Sequence, residues 1–221
     1  MKKLLIVGDS FMHPDENFLG QHWSEMLPEY NILMYSQPGS TNGMIAWRFF
    51  EGLQQNPDAI VLGFTMPDRI EFKLDDVQQK HHNRIWSSNG HQNLTFDQKL
   101  AVDYYQATAC QEMMLFKGFL TVRSLLLTCE KQKIPYAFTL NGLWDSATKC
   151  LIDEPWKTIY KHEIMTLGEF AKHLIPTNFA SSGIFKARPG FHVDDPVWQQ
   201  RFAQEAREIL QQPIDNTVQI V

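Results

Sequence analysis

Four short apolar runs constrain the fold more than any other feature of this sequence. Each run is continuous and lies next to turn-forming residues: 4–7, 31–35, 59–64 and 136–140. Runs of this kind are typical of strands that are buried on both faces, as in a parallel sheet. The sequence therefore predicts that these four runs are strands of one parallel sheet.

Helical stretches lie between and after these runs. Residues 42–54 place Ile45, Phe49 and Leu53 at four-residue steps, which indicates one apolar helix face. The other predicted helices are 97–132, which Gly118 could interrupt, 155–173, and 195–210, which begins with the cap-forming Asp194-Asp195-Pro196. Strands that alternate with helices form right-handed crossovers. We therefore expect an α/β fold, a three-layer α/β/α sandwich with a flavodoxin-like parallel sheet of about five strands.

The chain of 221 residues is long enough for one α/β domain to bury a full core. Because it has no internal repeat and no long linker, a single domain is expected over residues 1–221. Residues 73–96 differ from the rest, since they are polar and contain His81, His82 and His91. They are interpreted as an insertion on the surface, either a lid or an interface segment. The histidine spacing matches no compact ligand motif, so no metal site is expected.

Composition excludes several classes of function. The formal charge is -5 and no basic run occurs, which argues against a nucleic-acid groove. The three cysteines are far apart and odd in number, which favours buried thiols in a reducing compartment. Only four apolar residues follow the N-terminal lysines, fewer than the roughly 7–15 of a signal peptide. No run approaches the ~20 apolar residues of a membrane span, so a cytoplasmic protein without membrane contact is expected.

Three of the predicted strands end in small or polar residues. These ends are Gly8-Asp9-Ser10, Gly39-Ser40-Thr41-Asn42 and Gly63-Phe64-Thr65. In an open parallel sheet, ligands bind beyond the carboxyl ends of the strands, so we expect these residues to converge on one crevice. The first of these loops lacks the glycine-rich cradle that binds phosphate, which disfavours a flavodoxin-like nucleotide site. No cofactor is expected.

In their order along the chain, these residues resemble the conserved blocks of the SGNH (GDSL-type) hydrolases. Leu5-Ile6-Val7-Gly8-Asp9-Ser10 is similar to the first block, whose serine follows the first strand, and Pro38-Gly39-Ser40-Thr41-Asn42 is similar to the second block. Val61-Leu62-Gly63 lies where the third block falls. Gly190-Phe191-His192, ahead of the last helix, resembles the block that carries the catalytic histidine. The matches cover nearly the whole chain.

The resemblance implies a serine esterase that forms an acyl-serine on a small ester, such as an acetyl group on a carbohydrate. Ser10 is then the nucleophile, and His192 is the general base and later the general acid. A serine hydroxyl needs a base within hydrogen-bond reach, and histidine titrates near neutrality. The Gly39 N–H would help to form the oxyanion hole, with Asn42 or Thr65 as the side-chain donor.

Two blocks depart from the family pattern. Pro189 stands where the family has an aspartate that orients the histidine, and Asp194, Asp195 or a backbone carbonyl are the alternatives. Thr65 or Met66 stands where the third block has asparagine. Losing one oxyanion donor lowers the rate about 10²–10³-fold, and losing the aspartate of a serine protease lowers it about 10⁴-fold. The second hypothesis is therefore a catalytically degenerate member that serves as a binding or structural module.

The same residues also have purely structural interpretations. Ser10 can cap a helix that follows the first strand. Gly39 can serve only the turn after Pro38. His192 can be a surface histidine without a chemical role.

Overall fold

The computed structural model of this protein describes residues 1–14, 20–65, 69–72, 83–86, 100, 103–104, 111–140, 168–177 and 195–212. In these ranges the strands are β1 (Lys2–Val7), β2 (Tyr30–Met34), β3 (Ala59–Gly63), β4 (Arg69–Phe72), β5 (Asn83–Trp86) and β6 (Tyr136–Thr139). The α-helices are α1 (Asn42–Leu53), α2 (Gln111–Gln132) and α3 (Pro196–Leu210). Three 3₁₀ helices are η1 (Ser10–Met12), η2 (Trp23–Met26) and η3 (Gly168–His173).

The main sheet is parallel, with the strand order β2-β1-β3-β6. Ile6 of β1 lies opposite Met34 of β2 on one side and opposite Val61 of β3 on the other. After β1 the chain adds β2 on one side and then crosses to add β3 on the other. The carboxyl ends of β1 and β3 therefore form the switch point at which sheets of this kind bind ligands.

Helices cover both faces of the sheet because side chains of a strand alternate in direction. Leu5 and Val7 of β1 pack in a core with α1 and α2, whereas Leu4 and Ile6 pack in a second core with α3 and η2. All five residues of β3 are buried, as expected for a central parallel strand. The prediction of an α/β fold with a parallel sheet is confirmed.

The chain after η3 returns to the free edge of β6. Leu174 forms a parallel bridge with Phe138, and the Ile175 N–H donates to the Phe138 carbonyl at 2.8 Å. This contact extends the hydrogen bonding of the sheet beyond β6.

Most predicted elements match those of the structure. The four apolar runs are β1, β2, β3 and β6, and the helices predicted at 42–54 and 195–210 are α1 and α3. Gly118 does not interrupt the predicted helix, since α2 continues through that residue. A helical glycine costs only about 1 kcal/mol, which the packing of the buried Phe119 and Val122 can outweigh. Of the helix predicted at 155–173, residues 155–167 lie outside the described ranges, and η3 occupies the remainder.

The region around the polar insertion contains a strand pair that was not predicted from the sequence. β4 and β5 pair antiparallel, with Arg69 opposite Trp86, and form a small sheet of their own. The other residues of 73–96, including His81, His82 and His91, lie outside the described ranges.

Cys129 is a fully buried free thiol, and burial raises its pKa. This agrees with the expectation of a buried thiol at that position, whereas Cys110 and Cys150 fall outside the described residues. In the part of the chain that is described, no helix combines the length and the apolar character needed to cross a membrane.

Candidate active site

Ser10 is the first residue of η1, three positions beyond the end of β1. The residue that caps η1 is Asp9, whose Oδ1 accepts a hydrogen bond from the Phe11 N–H at 3.1 Å. The interpretation of Ser10 as the helix cap is therefore wrong. Ser10 is half-buried, and its hydroxyl makes no hydrogen bond with any described residue.

Met12 explains why two glycines lie at this end of the sheet. It is fully buried, and a Cβ on Gly8 or Gly63 would lie 2.3 Å or 2.2 Å from its Cγ. Both distances are far below van der Waals contact. The two glycines thus let Met12 pack across the ends of β1 and β3, which folds η1 onto the sheet and fixes the position of Ser10.

Asp9 connects the ends of β1 and β3. Its carboxylate is fully buried, and Oδ2 accepts a hydrogen bond from the Thr65 hydroxyl at 2.9 Å. A buried carboxylate requires such donors, since burial without them is strongly unfavourable. No role for Asp9 was predicted from the sequence. The available signal was its position between a buried strand and Ser10.

Asn42, the first residue of α1, is held against the backbone of Thr65. Its Oδ1 accepts from the Thr65 N–H at 2.9 Å, and its Nδ2 donates to the Thr65 carbonyl at 2.8 Å. Because Oδ1 faces an N–H and Nδ2 faces a carbonyl, these two bonds determine the orientation of the Asn42 side-chain amide. Because an amide nitrogen has two N–H groups and only one faces Thr65, a second N–H remains as a donor.

Thr65 has no such donor left. Its hydroxyl donates to Asp9 and its N–H donates to Asn42, and these are the only donors that a threonine carries. The hypothesis that Thr65 supplies the oxyanion donor is therefore not supported, and Asn42 is the better candidate. In this geometry Thr65 connects the side chain of Asp9 to the side chain of Asn42.

Gly39 lies in the loop between β2 and α1 with a φ of 69°, a conformation that favours glycine. The loop is anchored because the Gln37 N–H donates to the Gly8 carbonyl at 3.0 Å, and Arg48 of α1 donates to the Gln37 side chain. The structural role of Gly39 in the turn is therefore real. Within the described ranges its N–H and that of Ser10 are not used in any hydrogen bond, so both remain available as donors.

The structure places Ser10 after β1, Gly39 after β2 and Thr65 after β3, and it joins Asn42 of α1 to Thr65 by hydrogen bonds. Asp195 is described and caps α3, since its Oδ1 accepts from the Val197 N–H at 3.0 Å. His192 and Asp194 lie outside the described residues.

One described histidine lies close to Ser10 in the chain. His13 follows η1, and its Nδ1 is 3.3 Å from the Ser36 hydroxyl, which donates to the Met12 carbonyl. Among the described side chains, no three histidine, cysteine or acidic groups converge in a way that could hold a metal ion.

The Ser10 hydroxyl follows the end of β1, Gly39 lies in the loop after β2, and Asn42 is bonded to Thr65 at the end of β3. Backbone and amide N–H groups of this kind stabilise the oxyanion of acyl transfer. Comparison with models of protein families gives no match, and comparison with curated proteins gives none either. The resemblance to the SGNH hydrolases therefore rests on the residues of the sequence alone.

Proposed function

We propose that this protein is a serine esterase of the SGNH type, with Ser10 as its nucleophile. The observation that supports this most directly is the position of Ser10 at the end of β1, with its hydroxyl and N–H unengaged. The neighbouring end of β3 holds Asn42 with one N–H to spare. Acyl transfer requires a nucleophile, here the Ser10 hydroxyl, and N–H donors for the oxyanion, here those of Ser10 and Asn42.

The topology supports the finer description of the fold. The order β2-β1-β3-β6 is that of the first four strands of a flavodoxin-like sheet. The bridge between Leu174 and Phe138 lies where the fifth strand of such a sheet would begin. We therefore propose a three-layer α/β/α sandwich with about five strands, which the helices on both faces of the sheet support.

In the proposed reaction, the Ser10 hydroxyl attacks the ester carbonyl while His192 accepts its proton. The N–H groups of Ser10, Gly39 and Asn42 bind the oxyanion, and the alcohol leaves with the proton from His192. Water then attacks the acyl-serine by the reverse sequence of proton transfers. His192 precedes α3, and a helix that follows a parallel strand begins at the carboxyl edge of the sheet, where Ser10 lies. The proposed substrate is a small ester, such as an acetyl group on a carbohydrate.

The first test compares wild type with Ser10→Ala. Hydrolysis of p-nitrophenyl acetate and covalent labelling by a fluorophosphonate should both be lost in the variant. Since the Ser10 hydroxyl makes no hydrogen bond with the described residues, the variant should unfold at the same urea concentration as wild type. Activity that survives Ser10→Ala would remove Ser10 from the mechanism.

His13 provides a matched control for His192. His192→Gln should lower kcat/KM about 10²–10⁴-fold, which is the usual contribution of general acid–base catalysis. His13→Gln changes a histidine that is nearer to Ser10 in the chain and should leave kcat/KM near the wild-type value. A larger loss in His13→Gln than in His192→Gln would reassign the base.

A binding or structural module of the same fold is the second candidate. Two observations favour it: Pro189 stands where the family has the orienting aspartate, and both donors of Thr65 are engaged. If wild type neither hydrolyses the ester nor reacts with the fluorophosphonate, this second candidate replaces the esterase.

A further inference from the structure

Asp9, Thr65 and Asn42 form one continuous hydrogen-bonded chain. Asp9 Oδ2 accepts from the Thr65 hydroxyl at 2.9 Å, and Thr65 exchanges two backbone bonds with the Asn42 amide at 2.9 Å and 2.8 Å. All three residues are buried. They belong to three different parts of the fold: the end of β1, the end of β3 and the start of α1.

The geometry of this chain sets the direction of the last Asn42 N–H. An amide group is planar, so once its oxygen and one N–H are fixed on Thr65, the other N–H has a single direction. Any displacement of the Thr65 backbone therefore turns the remaining donor of Asn42. The Thr65 hydroxyl has one proton, and donating it to Asp9 holds Thr65 in place.

Asp9 is suited to this task because a carboxylate only accepts hydrogen bonds. One oxygen accepts from the Phe11 N–H in the turn that begins at Ser10, and the other accepts from Thr65. An asparagine at this position would turn an N–H group toward one of these two donors. The same carboxylate thus holds both the turn of the nucleophile and the support of Asn42.

We propose that Asp9 is a positioning residue, which acts through Thr65 to hold the Asn42 amide in the orientation that stabilises the oxyanion. This inference rests on the proposed esterase function. It concerns two residues that do not touch the reacting atoms: the buried carboxylate beside Ser10 and the threonine in the place of the third-block asparagine.

A double-mutant cycle on kcat tests whether Thr65 acts through Asn42. Asn42→Ala should lower kcat of p-nitrophenyl acetate hydrolysis about 10²-fold or more, as expected for one oxyanion donor. Thr65→Val removes the hydroxyl and should lower kcat up to about 10²-fold through misplacement of the donor, with KM changed little. Thr65→Ser keeps the hydroxyl and should restore most of the activity. In the Asn42→Ala background, Thr65→Val should lower kcat by no more than about twofold.

Asp9→Asn provides a second cycle that does not depend on whether Thr65→Val folds. It nearly preserves the size of the side chain, and it should lower kcat less in the Asn42→Ala background than in wild type. Its effect through Thr65 is lost in that background, whereas its effect on the turn at Ser10 remains. Equal losses in both backgrounds would mean that Asp9 and Thr65 act independently of Asn42, and the inference would fail. Wild-type kcat in both single variants would also overturn it while leaving the esterase proposal intact.

If the protein is not an esterase, the measurements give a different result from a failure of the positioning role of Asp9. In that case wild type itself shows neither hydrolysis nor labelling of Ser10, and the inference falls with it. An active wild type separates the two ideas in a single set of measurements.

Discussion

Replacing Gly63 by alanine should destabilise the protein by about 1–3 kcal/mol, the usual effect of adding a methyl group to a packed core. The new Cβ would lie 2.2 Å from Met12 Cγ and 2.5 Å from Met12 Sδ. Ordinary carbon contacts lie at about 3.5–4.0 Å, so the Met12 side chain would have to move by more than about 1 Å. Met12 is fully buried, and the contact involves its Cγ as well as its Sδ, so rotation of the end of the side chain alone cannot relieve it.

Urea unfolding followed by tryptophan fluorescence measures this effect. The loss corresponds to a fall in melting temperature of roughly 2–4 °C per kcal/mol for a chain of this size. Gly43→Ala is the matched control, since Gly43 is an exposed residue of α1. There the same substitution should stabilise the helix by up to about 1 kcal/mol.

Met12→Ala tests whether the clash with Met12 causes the destabilisation by Gly63→Ala. Alone, it should destabilise by about 2–5 kcal/mol because it removes a buried side chain. In the Gly63→Ala background it also removes the clash, so the double variant should be more stable than the sum of the two single effects predicts, by about 0.5–3 kcal/mol. If the two effects simply add, or if Gly63→Ala unfolds at the wild-type urea concentration, Met12 is not the reason for glycine at this position.

Two further predictions concern charged groups away from the site. Burial lowers the pKa of His173 below its usual 6.5, although Glu130 lies 3.3 Å away and opposes the shift. As pH falls, His173 therefore takes up a proton at a higher pH in the unfolded chain than in the folded protein. The free energy of unfolding is highest above about pH 6.5 and decreases between that pH and the lower pKa of the folded state. In urea unfolding, His173→Gln should reduce the difference in the free energy of unfolding between pH 7.5 and pH 5. An unchanged difference would show that His173 does not cause the loss of stability in acid. The hydrogen bond from Arg207 lowers the pKa of Glu29. Both side chains are about one-third exposed, so Arg207→Lys should destabilise by only about 0.2–1 kcal/mol, and less in 1 M salt.

The parallel sheet could be predicted because burial on both faces leaves a trace in the sequence. The run at 59–64, for example, is apolar throughout since both of its faces meet helices. β4 and β5 left no such trace. Each is only four residues long and contains charged residues, so neither reads as a buried run.

The location of the candidate site could be predicted for a related reason. Strand ends can be read from a sequence, and parallel strands bring their carboxyl ends to one edge. The partners of individual side chains could not be predicted in this way. Thr65 looked like a donor because its hydroxyl has a proton, but that proton is directed at Asp9, which is 56 residues away in the sequence. Such a contact depends on the completed fold rather than on any local pattern.

The parallel order of the sheet also bears on how the protein folds. In the main sheet each parallel pair of strands is joined by a long crossover, so none of these pairs can form early as a hairpin, and such topologies fold slowly. The hydrogen bond between Asp9 and Thr65 can form only after β3 has docked beside β1. The candidate site therefore assembles late, and its hydrogen bonds would report completed docking in a refolding experiment.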